Sequence, residues 1–392
     1  MKVRIVLFLF FLAPLVSSYA QPSVTSVTGT AQHGASIQIG GSGFGTKVPV
    51  APYIYDNFES GIPGQVVSGG WFVDASSSGK RPKYSDANPR FAQARAVLQD
   101  FTEGNYNSTL GLVGQNSKTF YVSGWNYTHT WNAPSRNFKP LGFRSGPAGD
   151  WGEPEGRLDI YPVNGPGSGH MYAADCNNTS SVNVWGFNDG FAWTYDRWWR
   201  METWIDQGSM DSSDGLWQFW EDLRLDKQIS GTFITSEGCV GLACRVRQTP
   251  VPTPSPQPTP LPVVCQCASE TCEDYDNFYL SSYFATDQGS PVPHALIYWD
   301  EIYIDYTRAR VEIGNASTWD ACTHREIQIP SAWSENSVTV TVNSGSFIPG
   351  SQAYVFVVNA DGVPAASGFP VVIGNSMPDA AFPAAPSNLR IQ

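Results

Sequence analysis

Residues Thr119 to Trp131 read TFYVSGWNYTHTW, and Asp196 to Asp206 read DRWWRMETWID. In an extended strand, residues i, i+2 and i+4 share a face, so each run divides into two sides. The first run sets Phe120, Val122 and Gly124 against Tyr121, Ser123, Trp125, Tyr127, His129 and Trp131. The second sets Trp199, Met201, Thr203 and Ile205 against Trp198, Arg200, Glu202 and Trp204. GRLDIYP repeats the pattern, with Leu158 and Ile160 opposed to Arg157, Asp159 and Tyr161. Three strands that back an apolar face with aromatic and hydrogen-bonding groups predict an all-β fold. Its form is a two-sheet sandwich whose second face lines a groove.

Composition agrees. The 392 residues include 37 Gly and 29 Pro, with only 15% charged, which suits strands joined by turns, and the length allows one or two cores. Twelve of the 14 Trp lie between Tyr53 and Asp305. Some serve the core, and others are expected to face ligand, because an indole stacks well on the C–H face of a sugar. Lys2 and Arg4, the apolar run Ile5 to Val16, and the small residues Ser18 and Ala20 form a signal peptide over residues 1–20. The expected location is secreted, periplasmic or extracellular. No later run reaches the roughly 20 apolar residues of a membrane helix, so no membrane insertion is expected. A formal net charge of −12 disfavours nucleic acid, although a local arginine cluster can still hold an anionic glycan.

Seven cysteines in an exported chain read as disulfide formers, with one left over. Zinc is the rival reading, disfavoured because paired CxxC units and neighbouring histidines are missing. Cys239, Cys244, Cys265, Cys267 and Cys272 bracket a proline tract at 249–264 that favours extended polyproline conformation. Strand-like sequence resumes at Tyr275, so the tract reads as a long loop within one domain.

PSVTSVTGTAQHGASIQIGGSGFGT (Pro22 to Thr46) resembles the opening of an immunoglobulin-like IPT/TIG domain. The pieces that would complete it, ARVEIGNAS, REIQIPSAWSENSVTVTVNSG and AYVFVVNADGVPAASGFPVVIG, appear only after residue 308. The resemblance implies a domain in two parts, 21–50 and 308–378, followed by a tail at 379–392. An inserted domain at 51–307 would separate the parts, as adjacent loop ends permit. Such domains serve as spacers or adhesion modules. Within the insertion, YDNFESG, FYVSGWNY, FKPLGFRSG, WRMETWIDQGSMDSSDGLWQFW and IYWDEIYID resemble concanavalin-like jelly rolls of the laminin-G and polysaccharide-lyase kind.

Fold does not give function. As a glycan-binding surface, Trp125, Tyr127, Trp198, Trp204 and Trp220 would supply stacking platforms, with Arg157, Arg200, Glu202 and Arg224 fixing hydroxyls or carboxylates. As a uronate lyase site, Arg144 or Arg200 would neutralise the substrate carboxylate. His129, with Tyr127 or Tyr161, would then move protons. Paired-carboxylate hydrolysis ranks below both, since Glu301 and Asp305 lie roughly 13 Å apart along an extended strand. Asp56 and Glu59 near the first strand, with Asp300 near the last, are candidates for a structural calcium; no other cofactor is expected. Sequons occur at Asn107, Asn126, Asn178 and Asn315. The leading expectation is a secreted polysaccharide-binding jelly roll, with polysaccharide lyase as the alternative and a surface adhesin as a further one.

Overall fold

The computed structural model describes residues 21–90, 94–115, 117–130, 137–145, 156–163, 170–175, 183–186, 193–208, 214–232, 277–285 and 295–374. The signal segment, the proline tract, the C-terminal tail and every cysteine but Cys322 lie outside these residues. Strands β1 (Ser23–Thr28) and β2 (Ser36–Ser42) come first. Next are β3 (Ile54–Asp56), β4 (Phe72–Ala75), β5 (Lys83–Ser85), β6 (Ala96–Asp100), β7 (Ser108–Leu112) and β8 (Thr119–Thr130). They are followed by β9 (Asn137–Ser145), β10 (Gly156–Val163), β11 (His170–Asp175), β12 (Asn183–Gly186), β13 (Trp199–Asp206), β14 (Gly215–Glu221) and β15 (Arg224–Thr232). After β16 (Asn277–Ala285) and β17 (Ala295–Asp305) the chain ends with β18 (Arg310–Gly314), β19 (Arg325–Ser334), β20 (Ser337–Thr341), β21 (Gln352–Val358) and β22 (Phe369–Val372). The fold is all-β. Among the described residues, no helix is long and apolar enough to cross a membrane.

Two sheets build the large sandwich, one of eight strands in the order β15-β14-β13-β8-β17-β6-β5 with β3 pairing β17, the other β12-β11-β10-β9-β16-β7-β4. The alternation in the sequence decides what lies between them. Phe120, Val122, Trp199, Met201 and Ile205 meet Phe138, Leu141, Phe143, Phe278 and Leu280 in one core. Gly124 belongs to that face because β17 passes so close that a Cβ there would stand 2.5 Å from Ile302 Cδ1.

β17 does not alternate throughout. Its register shifts between Asp300 and Tyr303, and Glu301 has φ of 48°. Because Trp299 and Ile302 both reach the core, this bulge carries the consecutive acids Asp300 and Glu301 out of it.

A second sandwich forms from β1-β2-β20-β19-β18-β21-β22, so strands from both ends of the described chain share one sheet. Its core holds Ile37, Ile39, Phe44, Val311, Ile313, Val338, Val340, Val355 and Val357. In the GSGFG turn, Gly43 and Gly45 take φ of 71° and 68°, which glycine adopts without penalty, and Phe44 between them drops into this core.

The small sandwich packs on the outer face of the eight-stranded sheet through buried ion pairs. Arg90 Nη2 lies 2.8 Å from Glu301 and 3.1 Å from Glu326, and its Nε lies 3.7 Å from Asp300. Arg200 bridges Glu202 at 3.0 Å and Glu312 at 2.9 Å. Arg310 and Arg325 also hold Glu312, and Lys47 pairs with Asp305. Among these groups, six carboxylates meet five cations, so one acid is in surplus.

Burial, with Glu326 close by, pushes Glu301 up to about 7 despite Arg90. Glu326 is also opposed by burial, but Arg90 and His324 hold it down at about 2. The signs are opposite. Glu301 contributes stability that is complete below its unfolded value near 4.5 and is lost as pH rises through about 7. Glu326 contributes stability present above that value and lost as pH falls through about 2. Urea unfolding across pH is therefore expected to show greatest stability in mild acid, with a decline toward neutrality. A steady rise from acid to neutral pH would contradict this.

Candidate functional site

On the eight-stranded sheet, the outward residues stand in cross-strand rows. Arg200, Trp125 and Asp300 form one, Glu202, Ser123 and Tyr303 the next, and Trp204, Tyr121 and Asp305 a third. These rows lie under the small sandwich. Trp125 is sandwiched, with the Arg90 guanidinium 4.3 Å from its ring centre and the His324 ring at 5.5 Å. Arg200 also donates to Ser123 Oγ at 3.1 Å and to the Arg325 carbonyl at 2.8 Å. Glu202 accepts the Tyr121 hydroxyl, and Trp204 packs with Tyr121, Tyr303 and Ile327, with Arg308 5.2 Å from its ring centre.

The expectation that Trp125, Arg200, Glu202 and Trp204 line an open groove is thereby corrected. The face is right, but its charges and rings are consumed by a domain contact. Trp220 is part-buried on the same cluster, while Arg224 is 64% exposed and pairs with Glu221 and Asp226 at the rim.

The three calcium candidates are engaged separately. Asp56 accepts the Phe58 amide at 2.7 Å and the Trp71 indole N–H at 2.8 Å. Glu59 accepts the Ala94 and Arg95 amides, and Asp300 faces Arg90. Among the described residues no group of three His, Cys, Asp or Glu side chains is disposed to hold a metal ion. Asn126 is fully buried and bonded to the Tyr298 carbonyl, so its sequon is closed to modification. Cys322 is a buried free thiol.

The four residues considered for lyase chemistry divide between sheets. Tyr127 and His129 stand on β8, where His129 Nδ1 lies 2.5 Å from Asp196. Arg144 and Tyr161 belong to β9 and β10 of the seven-stranded sheet, so the four do not form one site. A second constellation, absent from the sequence reading, is Ser346, His324 and Glu326. Ser346 Oγ and Glu326 Oε1 each lie 2.8 Å from the same His324 nitrogen, Nε2. A relay needs the acid on one ring nitrogen and the hydroxyl on the other, so this grouping is structural.

The seven-stranded sheet holds the other polar face. Leu110, Leu112, Leu141, Phe143, Phe278 and Leu280 point into the core, and the positions alternating with them lie on the outer side. Arg157, Arg144 and Asn277 fall in one row across β10, β9 and β16. Asp159, Gly142, Tyr279 and Gly111 form the next row. Tyr161 pairs with Tyr172, and Lys139 with Tyr283.

Asn277 and Tyr279 are nevertheless at most 5% exposed, so the outer side is covered at these two positions. Lys139, Asn277 and Tyr279 were missed by the sequence reading. The signal was present in FKPLGFRS and NFYLSSYFA, where large apolar residues alternate with them, but β9 and β16 each break strict alternation.

No family model and no curated protein matches the chain. Among solved structures, alginate lyase Aly36B is similar with a TM-score of 0.42 and 11% identity, covering 66% of this chain and 98% of that one. An endo-β-1,4-glucuronan lyase from the fungus Trichoderma reesei gives 0.41 and 13%, covering 65% and 96%. A marine PL-14 alginate lyase from Aplysia kurodai gives 0.35 and 10%, covering 58% and 88%. These likenesses concern sheet arrangement alone.

Removing one partner of a buried ion pair strands the other. Arg200→Ala is therefore expected to cost about 3–5 kcal/mol in urea unfolding, while Arg224→Ala at the exposed rim stays within about 0.5 kcal/mol of the parent. Equal effects would mean that the junction is not the buried contact described.

Proposed function

We propose that this chain is an exported polysaccharide-binding protein whose jelly roll holds an acidic glycan on the outer side of the seven-stranded sheet. The small, IPT/TIG-like sandwich backs the opposite sheet. The observation that carries the reading is the row Arg157, Arg144 and Asn277. Two arginines directly opposite one another on neighbouring strands disfavour pairing unless an anion lies between them. A uronate carboxylate meets that need, because a guanidinium binds carboxylate through two parallel hydrogen bonds.

The second reading is β-elimination on the same face. It is favoured by the tyrosines at 161 and 283 and by Lys139, which stand on the same or neighbouring strands as the arginines. Cations would stabilise the carboxylate as charge develops, and a phenol or amine would move the C5 proton. His129 has no place in that set, because it stands on the other sheet.

The test is retention of the mature chain in gels containing alginate, pectin or glucuronan, with ultraviolet absorbance followed for unsaturated uronate. Retention is expected, and Arg144→Ala and Arg157→Ala should each weaken it by roughly tenfold, about 1.4 kcal/mol, while His129→Ala leaves it unchanged. Rising absorbance abolished by Tyr161→Phe would establish the lyase reading. Retention indifferent to both arginine variants would overturn the assignment of this face.

A further inference from the structure

One strip of the eight-stranded sheet escapes the small sandwich. Beyond the Arg200, Trp125 and Asp300 row, Tyr127 pairs with Tyr298, and Tyr298 with Leu98, across β8, β17 and β6. Trp198, just before β13, completes the row, its ring centre 5.8 Å from that of Tyr127, with Tyr298 at 6.0 Å on the other side. Tyr298 is only 5% exposed and backs the row, whereas Tyr127, Trp198 and Leu98 are partly exposed. On neighbouring strands about 4.8 Å apart, the Tyr127 and Trp198 rings offer a platform for one sugar ring.

A polar row lies beside the aromatic one. His129, Leu296 and Asp100 are in register. Asp196 is 58% exposed where it meets His129, and Asp100 is held by Lys80 at 2.7 Å. Burial, with Asp196 close to Tyr127 and Asp100 close to Tyr298, raises both phenols above their ordinary value. Both hydroxyls thus stay protonated. The indole N–H of Trp198 has no acceptor among the described residues, although such groups ordinarily find one when buried.

We propose that this strip is a second carbohydrate site, independent of the acidic-glycan face, and that it takes a neutral sugar. Ring faces meet the apolar C–H side of a pyranose, while carboxylate, imidazole and phenol at the border exchange hydrogen bonds with its hydroxyls. Charge selects the ligand class. The charged groups at the border are His129 with Asp196, Lys80 with Asp100 and Glu103, Arg197 with Asp222 at 2.6 Å, and Lys83, in register with Leu98. Among these described residues the four carboxylates outnumber the three Lys and Arg cations, which disfavours a uronate. An acidic polymer would meet the carboxylates of Asp100 and Asp196. The seven-stranded face, with paired arginine positions, selects the opposite class. The chain would thus hold a neutral and an acidic polysaccharide on its two sides.

Affinity electrophoresis of the full mature chain in gels containing cellulose ether, galactomannan, xylan or alginate tests this. Retardation by at least one neutral polymer is expected. Trp198→Ala should remove it, and Asp196→Asn, which keeps the shape of an exposed side chain, should weaken it several-fold. Both variants should still be retarded by alginate as the parent is. Absence of retardation of the parent by every neutral polymer would overturn the proposal, and so would unchanged retardation of Asp196→Asn together with a normally folded Trp198→Ala. Loss of the alginate response alone would count against the acidic-glycan face and leave this site standing.

Discussion

The guanidinium of Arg90 holds the two sandwiches together. It reaches Asp300 and Glu301 from the large one and Glu326 from the small one, and it covers Trp125. The bulge in β17 exists in register with this demand, since it turns two consecutive acids toward one cation. Taking so many charges out of water costs several kcal/mol per ion before pairing. The contact is therefore better understood as fixing one geometry than as adding net stability. Asn343 contributes to that precision by donating to Glu301 at 3.0 Å.

That junction decides which surfaces are left for ligand. The aromatic and charged rows at the centre of the eight-stranded sheet have the composition of a glycan groove, yet their hydrogen-bonding capacity is already taken by Glu312, the Arg325 carbonyl and Ser123. The seven-stranded face remains, together with the uncovered strip around Tyr127. On the former, Arg144 and Arg157 stand in register; on the latter, carboxylates outnumber lysines and arginines among the described residues. This difference in local charge, rather than the number of aromatic residues, separates the two ligand classes proposed.

Much of this architecture was legible in alternation. Phe120, Val122, Trp199, Met201 and Ile205 were assigned to the core from their period, and each lies there. Tyr121, Trp125, Arg200 and Glu202 were assigned to the opposite face, and they stand on it. What alternation cannot supply is the cover. Whether an outward tryptophan meets a sugar or a neighbouring domain depends on contacts between residues more than a hundred positions apart, such as Arg200 with Glu312. Alternation also failed at β17, where the bulge moves Glu301 off the spacing assumed for a hydrolase pair, and at β9 and β16, which hid Lys139 and Tyr279. The lyase candidates were divided for a related reason. His129 and Arg144 are close in sequence, but the chain crosses from one sheet to the other between them.

The proposed acidic-glycan site on the seven-stranded sheet is open to amide hydrogen exchange of the mature chain, with and without a short oligouronate. Slowed exchange along β9, β10 and β16, with β8 and β13 unchanged, is the expected result. Protection confined to β8 and β13, or no protection in β9, β10 and β16 at saturating ligand, would contradict it.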